Sequence, residues 1–204
     1  MKSQDSVSYY NHHALRLAKE ALQIKNPSDL LPFLEELKQG SRVIDLGCGA
    51  GMDLLYLKRA GHTGMGIDFS TKFVEIAKAQ NPGLEILEKN FLFLSLKENE
   101  WDGVWANESL HHYEPEAIQR VAAACFKGLK SGGTFGLVIF EGTESFEDRD
   151  EDLSGPARTI HPLTEKAICS MLEQTGFKIK RVGRKPADAY TSHPRLLIIA
   201  SRVS

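Results

Sequence analysis

From residue 42 onward, short apolar runs alternate with segments whose apolar positions recur at helical spacing. The runs at 42–46 (RVIDL), 63–67 (TGMGI, ending at Asp68), 84–91 (LEILEKNF, running into a loop) and 101–106 (WDGVWA) predict strands. Residues 131–140 (SGGTFGLVIF) predict a turn followed by a fully apolar strand. Between them lie helical segments at 52–61, closed by Gly61, at 70–80, and at 114–130. In the last of these Pro115 fits the first turn, and Ile118, Val121, Ala122, Cys125 and Leu129 form one stripe. Thr164 caps a further helix that runs to Gln174, with Gly176 after its end.

The flanks read differently. Residues 8–22 carry Ala14, Leu17, Ala18, Ala21 and Leu22 at helical spacing, and Asn26-Pro27 ends that helix. Residues 28–37 predict a second helix. Residues 141–162 are acidic and irregular and predict a long loop, with His161-Pro162 in a turn. Strands at 177–184 and 195–201 finish the chain with no helix between them, so one of them runs antiparallel. Strand–helix alternation with continuously apolar strands implies an α/β fold, a mostly parallel sheet covered by helices on both faces.

Composition narrows the setting. The 204 residues suit a single domain, 1–204, with residues 1–39 as an N-terminal helical cap. Hydrophobic residues make up 42% and charged residues 25%, as in a soluble globular protein. The net charge of −2 supplies no strong field for nucleic acid or anionic lipid. The polar start and the absence of a long apolar run point to a cytoplasmic protein without a membrane span. The three cysteines, Cys48, Cys125 and Cys169, lack C-x-x-C spacing, and their odd count speaks against a disulfide framework.

The chemistry gathers in VIDLGCGAGMD, residues 43–53. Gly47, Gly49 and Gly51 follow a buried strand, where open α/β sheets bind ligands. Glycines in such a turn let the backbone approach a ligand that a Cβ would block. A dinucleotide site wants G-x-G-x-x-G; here the third glycine comes one place early, and Asp45 precedes the first. A carboxylate there disfavours a pyrophosphate and suits a cation. Asp68, ending the second strand, can accept both hydroxyls of a ribose. The implied ligand carries a nucleoside and a positive charge but no phosphate.

These stretches resemble the class I S-adenosylmethionine-dependent methyltransferases. VIDLGCGAG resembles their first motif, GIDFS the acidic second-strand motif, WDGVWANESLHHY the fourth-strand motif, and LKSGGTFGLVIF the turn and fifth strand. YYNHHA resembles the lid segment, and TEKAICSMLEQTGFKI the last helix and sixth strand. The resemblance implies a Rossmann-like sandwich with a seven-stranded, mostly parallel sheet and an antiparallel last strand. It implies S-adenosylmethionine as cofactor, with Gly47, Cys48 and Gly49 under its methionyl part and Asp45 near its ammonium. Asp68 would hold the ribose, Phe69 and Phe91 would border the adenine, and Asn90 would stand where an acid is common. Ala106 and Asn107 would border the sulfonium.

Methyl transfer is an in-line displacement that mainly needs alignment, with a base only where the nucleophile must lose a proton. His111, His112 and Glu141, after the fourth and fifth strands, are the candidate catalytic residues. Tyr9, Tyr10, His12 and His13 could form part of a lid. The acids Glu147, Asp148, Asp150, Glu151 and Asp152 lack the spacing of a calcium loop, and no metal site is expected. The acidic loop should cover the site and favour a neutral or cationic acceptor. The expected function is methyl transfer to a small molecule. The alternatives are an RNA or protein methyltransferase, or a non-catalytic S-adenosylmethionine-binding module. The oligomeric state is not legible.

Overall fold

The computed structural model describes residues 4–23, 28–148, 156–187 and 193–203. Its centre is a seven-stranded sheet. The strands are β1 (Arg42–Leu46), β2 (Thr63–Asp68), β3 (Glu85–Glu88), β4 (Trp101–Asn107), β5 (Leu129–Phe140), β8 (Phe177–Lys185) and β9 (Arg195–Arg202), in the order β3-β2-β1-β4-β5-β9-β8. The first five are mutually parallel, and β9 runs antiparallel to both neighbours. Order switches at β1, which lies between β2 and β4, so the crevice at the carboxyl ends of β1 and β4 is where a ligand fits.

Period-two alternation sends successive side chains to opposite faces. Ile44 and Leu46 pack with Val104 and Ala106 on one face, under α5 (Pro115–Gly128) and α6 (Glu165–Thr175). Val43 and Trp105 face the other way, toward α2 (Leu31–Leu34), α3 (Met52–Arg59) and α4 (Thr71–Gln80). Phe33 of α2 is fully buried against Trp105, with ring centroids 5.1 Å apart. The caps expected at Thr164 and Gly176 are present: Thr164 accepts from Ala167 N at 3.2 Å, and Gly176 ends α6 at φ 110°. Ser70, expected inside its helix, instead caps α4 by accepting from Phe73 N at 3.2 Å. The first helix, α1 (Gln4–Gln23), lies against α4, with Asn11 Oδ1 accepting from Ser70 Oγ at 2.8 Å.

Three expectations change. The second helix is a single turn, because Glu36 N and Leu37 N bond three residues back, to Phe33 and Leu34, and so leave the α-helical ladder. The helix expected to 130 ends at Gly128, and β5 takes in the SGG segment through a bulge opposite Trp101 and Gly103. The acidic stretch is not wholly irregular. β6 (Phe146–Asp148) pairs antiparallel with β7 (Arg158–Ile160), joining Phe146 to Ile160 and Asp148 to Arg158 across the ladder. Asp150, Glu151 and Asp152 lie outside the described residues. Among the described residues no helix is long and apolar enough to cross a membrane.

Candidate active site

The turn after β1 opens the site. Gly47 N and Cys48 N both donate to Ile67 O, at 2.7 and 3.0 Å, which docks the turn on the end of β2. Gly47, Gly49 and Gly51 have φ of 80°, 52° and 81°, a region L side chains avoid. Their surroundings separate them. A Cβ on Gly47 would lie 2.3 Å from Ser109 Cβ, and one on Gly51 would lie 2.4 Å from Asn81 Nδ2. A Cβ on Gly49 would meet nothing within 4 Å. Two glycines therefore serve packing, and Gly49 faces open space.

That space is a cavity of about 550 Å³, the size of a pocket for one ligand of moderate mass. Asp68 sits at one end, buried, with Oδ2 accepting from Gly49 N at 2.9 Å and Oδ1 from Ser70 N at 2.8 Å. Each oxygen has acceptor capacity beyond these bonds, so the carboxylate fits a vicinal diol. Phe69 lines the same end, edge-on to Tyr10.

Asp45 lies in the middle, 1% exposed, and its Oδ2 has no partner. Burial, then the charges of Asp53 and Asp68, push its carboxyl well above the usual range. Beside it, Asp53 accepts from Trp105 Nε1 at 2.7 Å and from Asn107 Nδ2 at 3.1 Å, leaving Asn107 Oδ1 buried and unpartnered. Burial raises Asp53 too, against the pull of those two donors. A cavity wall holding orphaned acceptors and clustered carboxylates asks for a cation rich in N–H groups, and an ammonium meets that description. The chain therefore fits a ligand with a diol at one end and an ammonium further on.

The far wall is built from four segments. Glu108 follows β4 at φ 48° and accepts from Arg195 Nη1 at 2.6 Å. Ser109 Oγ donates to Leu46 O at 2.6 Å, tying the β4 turn to β1. Tyr10 of α1 places its hydroxyl 2.7 Å from His112 Nε2, and Arg158 Nη1 donates to the same hydroxyl at 2.5 Å. Burial pushes the Tyr10 phenol up to about 12, although Arg158 pulls it down. Lys185, paired with Asp29, completes the rim.

The structure brings Asp45, Gly47, Cys48, Gly49, Asp68, Phe69, Asn107 and His112 to the cavity. It places the other candidates elsewhere. His111 is buried and stacked on Phe140, with centroids 4.5 Å apart, and is not part of the lining. Glu141 is held by Arg184 through two bonds of 2.6 Å, and that guanidinium keeps its carboxyl below the ordinary range. Asn90 is turned to its own chain, its Oδ1 accepting from Leu92 N at 3.0 Å and Tyr113 Oη at 2.9 Å. Phe91 and Ala106 are wholly buried behind the wall.

Asp53, Glu108, Arg158 and Arg195 line the cavity without having been singled out by sequence. Asp53 had a usable signal, an acid two residues past the last glycine of the turn; the other three had none beyond their charge. Among the described residues of the acidic loop, the one that lines the cavity is a cation, Arg158, paired with Asp148.

Residues 43–133 match the model of a family described as a methyltransferase domain. The chain is 33% identical over 160 residues to an uncharacterized methyltransferase of Synechocystis sp., covering 71% of this chain and 70% of that one. It is 28% identical over 183 residues to a probable tRNA methyltransferase 9B of Bos taurus, covering 85% of this chain and 37% of the longer relative. Among solved structures, a SAM-dependent methyltransferase from Methanosarcina mazei superposes with a TM-score of 0.76 at 22% identity, over 84% of this chain and 97% of that one.

Proposed function

Because this chain belongs to the class I S-adenosylmethionine-dependent methyltransferases, we propose that its cavity holds that cofactor between Asp68 and Asn107 and methylates a small molecule at the far wall. The observation that carries the small acceptor is a cover over the cavity: Tyr10, Leu17 and Ala21 of α1 line it, and Ala14 and Ala18 of the same helix pack with Ala50 of the glycine turn. In this reading α1 is a lid within one domain, closing the site against water as transfer requires, while α2 belongs to the core under the sheet.

The residues divide the work. Asp68 takes the ribose hydroxyls, and Gly49 leaves room for the chain of the ligand. Asp45 and Asn107 Oδ1 receive the ammonium. The bound cofactor supplies a methyl carbon activated by its sulfonium. The protein holds the acceptor in line with that carbon, where orientation contributes several kcal/mol, on the order of the effective-molarity gains of bound reactants. Where the acceptor bears a proton, Tyr10 Oη takes it as the Tyr10 proton passes to His112 Nε2. The positive charge lost at sulfur then reappears on the imidazole, and the ledger of protons and charge closes.

The test is release of S-adenosylhomocysteine, followed by mass spectrometry, with a panel of small amines, phenols and carboxylic acids beside total tRNA. Turnover with a small acceptor that is lost in Tyr10→Phe, while S-adenosylhomocysteine binding persists, supports the proposal. Turnover with tRNA alone moves the acceptor to RNA. Tight cofactor binding with no turnover on any acceptor makes the chain a binding module.

A further inference from the structure

One of the two hydrogen bonds at Tyr10 has a direction that chemistry fixes. Arg158 Nη1 lies 2.5 Å from Tyr10 Oη, and a guanidinium can only donate. The phenol oxygen is therefore the acceptor of that bond, and its single proton is left for His112 Nε2 at 2.7 Å. Given to Nε2, that proton makes His112 the acceptor there and puts the proton of the neutral ring on Nδ1, one of the two arrangements the distances allow. The carbonyl of Thr159 stands 3.4 Å from Nδ1, on the side that arrangement requires.

Arg158 and Thr159 are consecutive on β7, so one short strand addresses both ends of the chain of bonds. Arg158 is itself oriented from β6, where Asp148 Oδ2 accepts from Nε at 2.7 Å and pairs with Nη2 at 2.6 Å. The guanidinium also lies over the rings of Tyr9 and Tyr10, 4.9 and 5.5 Å from their centroids. The other charged group facing Tyr10, Glu108, is engaged by Arg195.

We propose that Arg158 is a positioning residue that sets the direction of the proton path: by occupying the Tyr10 oxygen it holds His112 as the Nδ1–H tautomer and reserves Nε2 as the proton's destination. The proposal rests on the reading of this cavity as a methyltransferase site, and it narrows the substrate class. A path built to remove a proton serves nucleophiles that carry one, amines with N–H or hydroxyls, and gives nothing to a tertiary amine or a thioether. In the step, the nucleophile's electron pair forms the bond to the methyl carbon and the carbon–sulfur pair stays on sulfur. The nucleophile's proton moves to Tyr10 Oη while the Tyr10 proton moves to His112 Nε2.

A mere clamp between α1 and the hairpin would hold the helix without caring which ring nitrogen carries the proton. The test therefore reads the ring nitrogens, by nitrogen-15 NMR of histidine-labelled full chain saturated with S-adenosylhomocysteine, with His112 assigned from its loss in His112→Asn. The wild type should show His112 neutral at neutral pH, with Nδ1 protonated and Nε2 bare. Arg158→Met should turn that single tautomer into a mixture, and Arg158→Lys, which can still donate, should restore it. Tyr10→Phe, with Arg158 in place, should give the same mixture as Arg158→Met and serves if that variant fails to fold. A wild-type Nε2–H tautomer overturns the proposal. So does an unchanged His112 spectrum in Arg158→Met or Tyr10→Phe that still binds S-adenosylhomocysteine. Failure of the wild type to bind S-adenosylhomocysteine at all would instead sink the methyltransferase reading of the cavity.

Discussion

The backbone N–H of Gly49 donates to Asp68 Oδ2 at 2.9 Å, so the turn after β1 and the end of β2 form one unit. Asp68 thus lines the cavity and anchors the loop beneath it, and in the proposed function it also takes the ribose. Asp68→Ala should weaken S-adenosylhomocysteine binding at least about tenfold, the scale of one lost hydrogen bond to a charged group. It should also lower the melting temperature by a few degrees, because Gly49 N and Ser70 N lose their acceptor. Calorimetry with thermal melts checks both; an unchanged dissociation constant in a folded variant removes Asp68 from the ribose.

The three glycines should respond differently to alanine. Gly47→Ala and Gly51→Ala drive a Cβ to 2.3 Å from Ser109 and 2.4 Å from Asn81, and the protein should be severely destabilised or fail to accumulate. Gly49→Ala has open space and only the left-handed backbone to bear, about 1–2 kcal/mol. It should fold, melt a few degrees lower, and lose cofactor affinity. A folded Gly49→Ala with wild-type affinity would show that the open space is not ligand space.

Proton release should accompany binding. Burial, with Asp53 and Asp68 nearby, raises the folded Asp45 carboxyl above its unfolded value. Its contribution to stability is then full below the unfolded pKa and falls as pH rises toward the folded one. A bound ammonium favours the ionised form, so binding in that window expels a proton. Titrating S-adenosylhomocysteine in buffers of different ionisation enthalpy should give buffer-dependent heats, smaller in Asp45→Asn. Buffer-independent heats in the wild type would contradict this account of Asp45.

Glu141→Gln should leave the dissociation constant of S-adenosylhomocysteine where it was. Its carboxylate is bound by Arg184 at the surface, away from the cavity. An exposed ion pair of this kind adds little to stability, so the melting temperature should barely move. A marked loss of affinity would place Glu141 closer to the ligand than its present partner allows.

The alternation of apolar strands and amphipathic helices was legible because both periods are local, and β1, β2, β4, β8 and β9 fall where the pattern puts them. So were the ends marked by Thr164 and Gly176, since a cap acts within one turn of its own residue. The hairpin of β6 and β7 was not legible: three residues pair with three others ten to fourteen positions away, too short for a period to register. The same limit hid Arg158, whose role exists only because α1 brings Tyr10 to it from 148 residues away. His111 and His112 show the remaining gap. Two adjacent histidines in one short 3-10 helix point to different neighbours, one to Phe140 and the other to Tyr10. No property of the dipeptide says which.

Arg195 and Arg158 reach the same cavity from supports of unequal stiffness. Arg195 begins β9, laddered to β5 on one side and β8 on the other, so its guanidinium moves only as far as the central sheet does. Arg158 stands on a two-stranded ribbon of three residues a side, a kind of element that is marginal by itself. Amide exchange should therefore be slow at residue 195 and fast at 158–160, and ligand contact at Tyr10 should slow the second set far more than the first. On the proposed reading one wall of the cavity is then a fixed gauge and the other a compliant one, so that acceptors of slightly different girth would be gripped without disturbing the cofactor's bed.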